Sequence, residues 1–409
     1  VKNSVLGAGV SVASYERMRD ALVQRAGREM EAGIGYAEEE QRVLGSLEGL
    51  FPVGSEGALN AQLGQFWNAW SDLADSPNDN GVRLALRSRA AGLASTLNRL
   101  DGDVRTLQSE TQTALADGIA EANGLLERIA HLNETIATAA NTGSPNLDAA
   151  DERDRLIDRL SAFAPIRVAG DGSGAVTVTL DGMTVVQDRH AQRLALDTST
   201  QPPAVRFEGT DVTLRTGDGG GRLGGWMRML EETLPNTLTA LDDLAAALVS
   251  RVNGVHTTGF GMDGTPPGPA FFDTAGVTAA TIDLSAAVKD DSKKIVASST
   301  DPTTGVQDGA LALAIAGLRD DKMMDGGTAT AETFVIDLVS GVGADLSKAR
   351  QQYDARSTAA VHLDAMEQGV SGVSIEEEMT NLIQYQHAFQ ASTRVLNTVQ
   401  QMLDTLLSL

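Results

Sequence analysis

Cysteine is absent from this sequence of 409 residues. Without a thiol, the chain cannot form a disulfide framework, a thiolate nucleophile, a zinc finger or an iron–sulfur cluster. Aromatic residues are also scarce, at 4% of the total. The most apolar runs, such as residues 310–318, are far shorter than the roughly 20 residues of a membrane-spanning helix. The sequence therefore excludes cysteine chemistry and predicts no membrane-spanning helix.

Basic residues are also few compared with acidic ones. The chain has 32 lysine and arginine residues against 55 aspartate and glutamate residues, which leaves a net charge of −23. Such a field repels the phosphates of nucleic acids and anionic lipid headgroups. We therefore expect neither nucleic acid nor a membrane as a partner. Because a typical domain has about 150 residues, we expect two or three domains in a chain of this length.

Proline is missing from residues 82–140, where apolar residues recur in alternating steps of four and three. This spacing predicts a helix with one apolar face. The face is formed by Leu86, Ala90, Leu93, Leu97, Leu100, Val104 and Leu107, and it shifts phase after Thr111. An unbroken helix would be about 85 Å long at 1.5 Å per residue. Gly102, Gly118 and Gly124 could each interrupt it, so the pattern is compatible with one helix or several.

Two further segments show the same spacing. One spans residues 234–255, and the other occupies the C-terminus, where a stripe with a seven-residue repeat predicts an amphipathic helix. The members of the C-terminal stripe are Ile375, Leu382, Phe389, Leu396, Val399, Leu403 and Leu406. A helix cannot bury such a stripe by itself. The stripes therefore pack within an ordinary helical bundle or against other subunits.

A different pattern lies between the helical segments. Residues 176–180 and 183–187 read as two strands joined by Asp181-Gly182, a pair typical of a two-residue hairpin turn. Shorter strand candidates follow at residues 193–196, 204–207 and 212–215. These segments predict a small β domain inserted into a helical one.

Residues 261–343 are rich in glycine, threonine and aspartate. We interpret them as a second, loop-rich β insertion with a helical piece near residues 310–318. Its strand candidates are residues 281–284, 294–297 and 334–338.

Together these patterns predict a mainly α fold: an elongated helical rod, similar to a coiled-coil bundle, with small inserted β domains. The predicted domains are the N-terminal part of the rod (1–165), an inserted β domain (166–222), a helical segment returning to the rod (223–260), the loop-rich insertion (261–343), the C-terminal part of the rod (344–371) and a C-terminal coiled-coil helix (372–409).

Enzyme signals are weak. Gly219, Gly221 and Gly224 match the spacing of a dinucleotide-binding loop, and Asp242 follows at a suitable distance. However, Asp242 falls inside a helical apolar pattern, so a flexible glycine hinge between strand and helix is the simpler interpretation. We keep a dinucleotide-binding enzyme as an alternative, but expect no catalytic residue and no cofactor.

Two other chemical signals are also weak. The five histidines have no helical metal-pair spacing, so we expect no metal site. His256 is expected to be a packing residue at a helix end. Acidic and basic side chains alternate over residues 151–155, which is typical of a solvated helix surface.

The C-terminal residues 371–378 and 381–392 resemble the signature of bacterial flagellar axial proteins. Within that group, residues 146–161 and the stretch Phe66-Trp67-Asn68-Ala69-Trp70 are similar to motifs of the flagellar hook-associated protein 1 (FlgK) family. Residues 251–256, with Phe271 and Phe272, also look like this family. Another axial subunit, such as the adaptor hook-associated protein or flagellin, is the alternative within the group.

The resemblance implies a secreted, extracellular structural protein of the flagellum, required for motility and located at the hook–filament junction after unfolded export. It implies self-assembly into a ring, with the hook protein and the adjacent hook-associated adaptor protein as neighbours. A cytosolic export chaperone would bind the C-terminal helix. The implied assembly and chaperone surface consists of Leu382, Phe389, Leu396, Val399, Leu403 and Leu406.

In that family, the C-terminal helix pairs with an N-terminal helix to form an inner tube. No such N-terminal helix precedes Val1, so we expect this sequence to be a truncated fragment or to begin inside the gene product.

Overall fold

Ten α-helices and six short β-strands form the part of the chain that a computed structural model describes. The described residues are 20–407 except 53, 143–145, 171–173, 216, 218, 265–267, 276, 304, 306–307 and 372–374. The chain divides into two compact units, residues 28–357 and the combination of residues 1–27 with 358–409. The helices are α1 Ala21–Leu50, α2 Leu59–Asp75, α3 Asn80–Asn141, α4 Leu147–Ser161, α5 Gly221–Arg228, α6 Leu234–His256, α7 Ala286–Asp290, α8 Ala310–Gly317, α9 Ala331–Ser371 and α10 Ile375–Leu407.

Helix α3 is unbroken over its 62 residues, a length of about 93 Å at 1.5 Å per residue. Its first turn is capped by Asp79, whose side chain accepts hydrogen bonds from the backbone N–H groups of Gly81 (2.6 Å) and Val82 (3.4 Å). Gly102, Gly118 and Gly124 do not interrupt it. Each costs about 1 kcal/mol relative to alanine, and burial of a continuous apolar face offsets that cost.

The predicted apolar face of α3 forms the core of the larger unit. Its members from Leu86 to Leu107 are all buried, and α2, α4, α5 and α6 pack against α3. The core also contains the apolar face of α2, with Phe66, Trp67 and Trp70. The interpretation of this segment as a helical bundle is therefore confirmed.

Helices α5 and α6 are joined by a single π-helical turn at Met229–Thr233, so the helical segment runs from Gly221 to His256. Pro235 lies in the first turn of α6. Proline has no backbone N–H to donate, and an irregular turn beside it lets the preceding carbonyls find other partners. The predicted stripe is buried, including Leu234, Leu241 and Leu248.

The β unit, defined as residues 166–215, contains all six described strands. A four-stranded antiparallel sheet has the order β1-β2-β3-β4, and β5 pairs with β6 in a separate two-stranded sheet. The strands are β1 Ile166–Gly170, β2 Val176–Leu180, β3 Met183–Gln187, β4 His190–Ala191, β5 Leu194–Asp197 and β6 Ala204–Phe207.

The predicted hairpin is confirmed. Strands β2 and β3 are joined at Asp181 (φ 47°) and Gly182 (φ 78°), the positive angles that a type I′ turn requires. The strand candidate at residues 212–215 is wrong, because only Thr213 makes a single bridge there, to Arg206.

The prediction of a second β insertion at residues 261–343 is wrong for the described residues. They contain no strand. They contain isolated bridges, such as Phe272 to Leu284, the short helices α7 and α8, two 3-10 turns and the start of α9. The candidate at 281–284 is a loop with one bridge, and the candidate at 294–297 is the end of a 3-10 turn followed by a loop. The candidate at 334–338 lies in α9, which begins at Ala331, ahead of the predicted boundary at residue 344.

Hydrophobic side chains, not strands, hold this region in place. Phe271, Phe272, Ile282, Leu284 and Ile295 are all buried in the same core as α2 and α3. The predicted helical piece is confirmed as α8, which packs against α2 and α6. The segment is therefore a loop-rich layer on the helical core.

In the smaller unit, the described residues are the start of α1, the end of α9 and all of α10. Gln24 of α1 donates a side-chain hydrogen bond to Glu367 of α9 (Nε2 to Oε1, 3.3 Å). Across the described residues of both units, no helix is long and apolar enough to cross a membrane.

Candidate functional site

The stripe predicted as an assembly surface lies on α10. Its side chains are exposed, from 47% for Val399 to 75% for Phe389. The stripe comprises Leu382, Phe389, Leu396, Val399, Leu403 and Leu406. Exposed apolar patches of this kind mark interaction surfaces. Assembly through these residues remains a prediction.

The geometry of the stripe suits a lengthwise helix partner. Leu382, Phe389, Leu396 and Leu403 are seven residues apart, so they extend over about 32 Å of α10 at 1.5 Å per residue. On a straight helix such a repeat drifts by about 20° per heptad, and left-handed supercoiling with a partner removes the drift. Each side chain that a partner fully buries contributes about 1.5–3 kcal/mol.

Few charges accompany the stripe. Beyond the glutamates at residues 376–378, the ionisable residues of α10 are His387, Arg394 and Asp404. A helix with so little charge packs beside identical helices without strong repulsion. The arrangement can bind another helix.

Two of the other segments that resemble the flagellar family, residues 66–70 and 251–256, pack against Phe271 and Phe272 in the core of the larger unit. His256 is fully buried, and its Nδ1 lies 2.6 Å from the carbonyl oxygen of Pro269. The backbone N–H of Val296 donates to its Nε2 (2.8 Å). Nε2 therefore has no proton, and Nδ1 donates. The ring packs against Phe271 with 5.3 Å between centroids, as expected for a packing residue at a helix end.

Burial lowers the pKa of His256 to about 4. Its hydrogen bond to Pro269 acts in the opposite direction, and the positive charge of Arg83 lowers the pKa further. The imidazole is therefore neutral at neutral pH, and it has no access to a substrate.

Asn253, one turn before His256, fixes the two phenylalanines. Its Oδ1 accepts hydrogen bonds from the backbone N–H groups of Phe271 (2.8 Å) and Phe272 (2.9 Å). Its Nδ2 donates to the carbonyl oxygen of Phe272 (3.0 Å). This amide thus satisfies backbone groups of a loop whose only strand-like pairing is the isolated bridge from Phe272 to Leu284. It explains how the loop-rich layer stays on the helical core without a sheet.

Arg83 is a fully buried cation. Its guanidinium donates to the carbonyl oxygen of Pro77 from Nε (3.1 Å) and Nη2 (2.7 Å), and to that of Ile295 from Nη1. Burial lowers its pKa to about 10, so the charge persists at neutral pH. Arg83 links the start of α3 to the loop-rich layer.

Two asparagines of α3 hold the β unit. Asn123 exchanges two hydrogen bonds of 2.8 Å with the backbone of Leu194. Asn133 does the same with Val176, at 2.7 Å and 3.1 Å. Each side-chain amide acts as a short strand partner for a β-strand. The β unit is therefore fixed against α3 by hydrogen bonds as well as by apolar packing.

Arg153 lies on the segment that sequence analysis placed on a solvated surface, and for this residue the prediction is wrong. It is only 5% exposed. Its Nη1 donates to the carbonyl oxygen of Gly174 (2.7 Å) and to Oδ1 of Asn133 (3.3 Å). The family resemblance over residues 146–161 includes this position, whereas the alternation of charges gave no sign of burial.

Two buried glutamates of α1 accept hydrogen bonds from side chains of α5. Glu39, 3% exposed, accepts from Nε of Arg222 (3.0 Å) and from the indole N–H of Trp226 (2.8 Å). Glu40 accepts from Nη1 of Arg228 (2.6 Å). Helices α1 and α5 are thus joined by charge-assisted hydrogen bonds. No local sequence pattern reveals this site, because Glu39 and Glu40 lie more than 180 positions from their partners.

The dinucleotide-loop alternative is not supported by the structure. Gly221 opens α5 at φ 71°, and a Cβ there would lie 2.3 Å from the backbone of Phe163. The glycine is therefore required by close packing rather than by a ligand or a flexible hinge. Asp242 accepts a hydrogen bond from the backbone N–H of Ala279 (2.7 Å), which gives this acid a structural role.

Metal-binding chemistry has no candidate in the described part of the chain. No group of three histidine, aspartate or glutamate side chains converges there as metal ligands.

A family model for the helical domain of the flagellar hook-associated protein FlgK matches residues 44–272. A second model, for the C-terminal region of the flagellar basal body rod FlgEFG proteins, matches residues 368–409. The first match contains Arg83, Asn253 and His256, and the second contains the α10 stripe.

Similar proteins include flagellar hook-associated protein 1 of Bacillus subtilis (strain 168), 26% identical over 442 positions that cover 98% of this chain and 86% of that protein. The protein of the same name from Salmonella typhimurium (strain LT2) is 24% identical over 517 positions, covering 100% and 92%. The structure of the flagellar hook junction protein FlgK from Burkholderia pseudomallei superimposes with a TM-score of 0.73 at 16% identity, covering 86% of this chain and 100% of that one. This structural likeness shows a shared fold.

Proposed function

The chain belongs to the flagellar hook-associated protein FlgK family, and we propose on that basis that it is a structural subunit of the junction between flagellar hook and filament. Its role is mechanical and not enzymatic. The subunit reaches its place by unfolded export and assembles outside the cell through helix packing. The absence of cysteine suits this route, since no disulfide has to form after export.

The observation that carries the proposal is the exposed stripe of α10. A folded chain that leaves six large apolar side chains of one helix in solvent has that surface free for a partner. In the assembled junction the partner is a helix in an inner tube built from repeated copies. Neighbouring copies form a ring, with the hook protein on one side and the hook-associated adaptor protein on the other.

Before export the same stripe has a different occupant. We assign it to a cytosolic flagellar export chaperone, which covers Leu382 to Leu406 and prevents premature association. One apolar stripe thus serves two partners in succession. A substitution on it should impair both interactions together.

The test is a double substitution, Leu396→Asp and Leu403→Asp. Two carboxylates in a helix–helix interface cost several kcal/mol. In the unassembled chain both positions are exposed, at 66% and 52%, so folding of the larger unit should be unaffected. We expect normal thermal unfolding, loss of chaperone binding in a pull-down, and cells without filaments.

The matched control is Gln390→Asp with Asn397→Asp. These positions have the same seven-residue spacing, lie about 100° round α10 from Phe389 and Leu396, and add the same charge. The control should bind the chaperone and support filament growth. Filament growth and normal chaperone binding by the Leu396→Asp, Leu403→Asp variant would show that the stripe is not the assembly surface.

A further inference from the structure

A cleft on the β unit differs in charge from most of the chain. It has a volume of about 460 Å³ and lies beside the turn between β2 and β3. Its lining includes Arg167, Thr179, Asp181 and Arg215. Two arginines therefore share one cleft in a chain whose net charge is −23.

The backbone places these two arginines. Arg167 lies on β1, an edge strand of the four-stranded sheet, directly opposite Thr179 of β2. Arg215 follows the last bridge of the β unit, and its backbone N–H donates to Oδ2 of Asp181 (2.9 Å). The only carboxylate of the lining is thus engaged with a backbone group.

Ion pairing separates these arginines from their neighbours. The other three arginines of the β unit are paired: Arg189 with Glu134 (3.8 Å), Arg193 with Glu127 (3.6 Å) and Arg206 with Asp197 (2.9 Å). Within the described part of the chain, neither Arg167 nor Arg215 has an ion pair, and both are exposed. Their guanidinium groups can bind carboxylates of another molecule, bidentately where the geometry allows.

The charge distribution indicates which molecule. Residues 166–215 contain five arginines and six carboxylates, whereas the whole chain has 32 basic and 55 acidic residues. Almost all the net negative charge therefore lies outside the β unit. Two copies of such a chain repel each other unless a local positive site meets an acidic surface.

We propose that the Arg167–Arg215 cleft binds an acidic surface of a second copy of this chain. This inference rests on the proposed function, in which copies stand side by side in a ring. The two arginines attract carboxylates of the second copy, although the net charge of −23 makes two copies repel each other overall. The cleft sets the lateral position of neighbouring β units, whereas the α10 stripe supplies helix packing.

The experiment places a photo-crosslinking amino acid, p-benzoylphenylalanine, at Thr179, beside Arg167 in the cleft. Flagella are purified from cells that express this chain, irradiated, and analysed by mass spectrometry. The expected product is a dimer of this chain, linked to a peptide rich in aspartate or glutamate. With Arg167→Glu and Arg215→Glu added, the yield of dimer should fall about tenfold, because carboxylates then face carboxylates.

The matched control is Arg189→Glu, a charge reversal at an exposed, paired arginine of the same β unit. It should leave the dimer yield unchanged. If the double reversal is not incorporated into flagella, Arg167→Gln with Arg215→Gln replaces it, with a smaller expected loss.

Three results would overturn the proposal: no crosslink at Thr179, a crosslink to a different protein, or a dimer whose yield ignores both arginine variants. None of these contradicts the structural role in the flagellum. That role is contradicted separately, if the unsubstituted chain is missing from purified flagella.

Discussion

Replacing His256 by glutamine tests how much the stability of the larger unit depends on a neutral imidazole at this buried position. Glutamine does not titrate, yet its amide can donate to the carbonyl oxygen of Pro269 and accept from the N–H of Val296, as the ring does. The variant should therefore lose stability through altered packing against Trp70 and Phe271, while losing the proton linkage of the histidine.

The magnitude follows from the pKa. In the folded chain the pKa of His256 is lowered from 6.5 to about 4, so the unfolded chain binds a proton more readily. Stability from this group is complete above pH 6.5 and is lost as the pH falls towards 4. At 1.4 kcal/mol per pH unit, the full loss is about 3 kcal/mol. About 2 kcal/mol of it falls between pH 6.5 and 4.5.

The assay is urea unfolding of the whole chain at pH values from 7 to 4.5, followed by far-ultraviolet circular dichroism. The unfolding free energy of the unsubstituted chain should fall by about 2 kcal/mol more than that of His256→Gln across this range. His131→Gln, at an exposed position of α3, is the matched control for removing one histidine. Parallel pH profiles for the unsubstituted chain and His256→Gln would refute the argument that burial keeps this imidazole neutral.

Three further predictions concern α3 and the side chains that link it to the β unit and the loop-rich layer. Gly118→Ala should destabilise the chain by about 1–3 kcal/mol in urea unfolding, because its Cβ would lie 2.3 Å from the ring of Trp226; Gly124→Ala, with open space at its Cβ, should stabilise it by up to about 1 kcal/mol. Asn133→Ala should cost about 1–3 kcal/mol and raise hydrogen exchange in β2 before α3; equal exchange in both would contradict the proposed anchoring. Arg83→Ala should cost about 3 kcal/mol or more by thermal or urea unfolding, since it leaves buried carbonyls without donors; a cost below 1 kcal/mol would show that water replaces the guanidinium.

Local periodicity was sufficient for α3 and α6. The four-three steps over residues 82–140 and 234–255 record which side of each helix is buried, and that information is repeated at every turn. The hairpin at Asp181-Gly182 was equally predictable, since few residues adopt the positive φ angles of its turn. The stripe of α10 was visible for the same reason as the long helices.

The same kind of signal failed at residues 334–338. A short β-branched and aromatic run favours a strand locally, but the buried positions Ala331, Val335, Val342 and Leu346 continue a helical spacing along α9. The longer pattern prevails because a strand here would need a pairing partner, and none of the described strands lies beside it.

The amino-acid sequence by itself thus predicted the apolar faces of α3 and α6, the hairpin and the stripe of α10, and its motifs indicated the family. Only the tertiary structure decided that the described residues between 261 and 330 form a layer without strands, that Arg153 is buried, and that Asn123 and Asn133 hold β-strands. The physical reason is the distance along the chain between partners. Asn123 bonds to a residue 71 positions later and Asn133 to one 43 positions later, and no local repeat records a single hydrogen bond across such a separation.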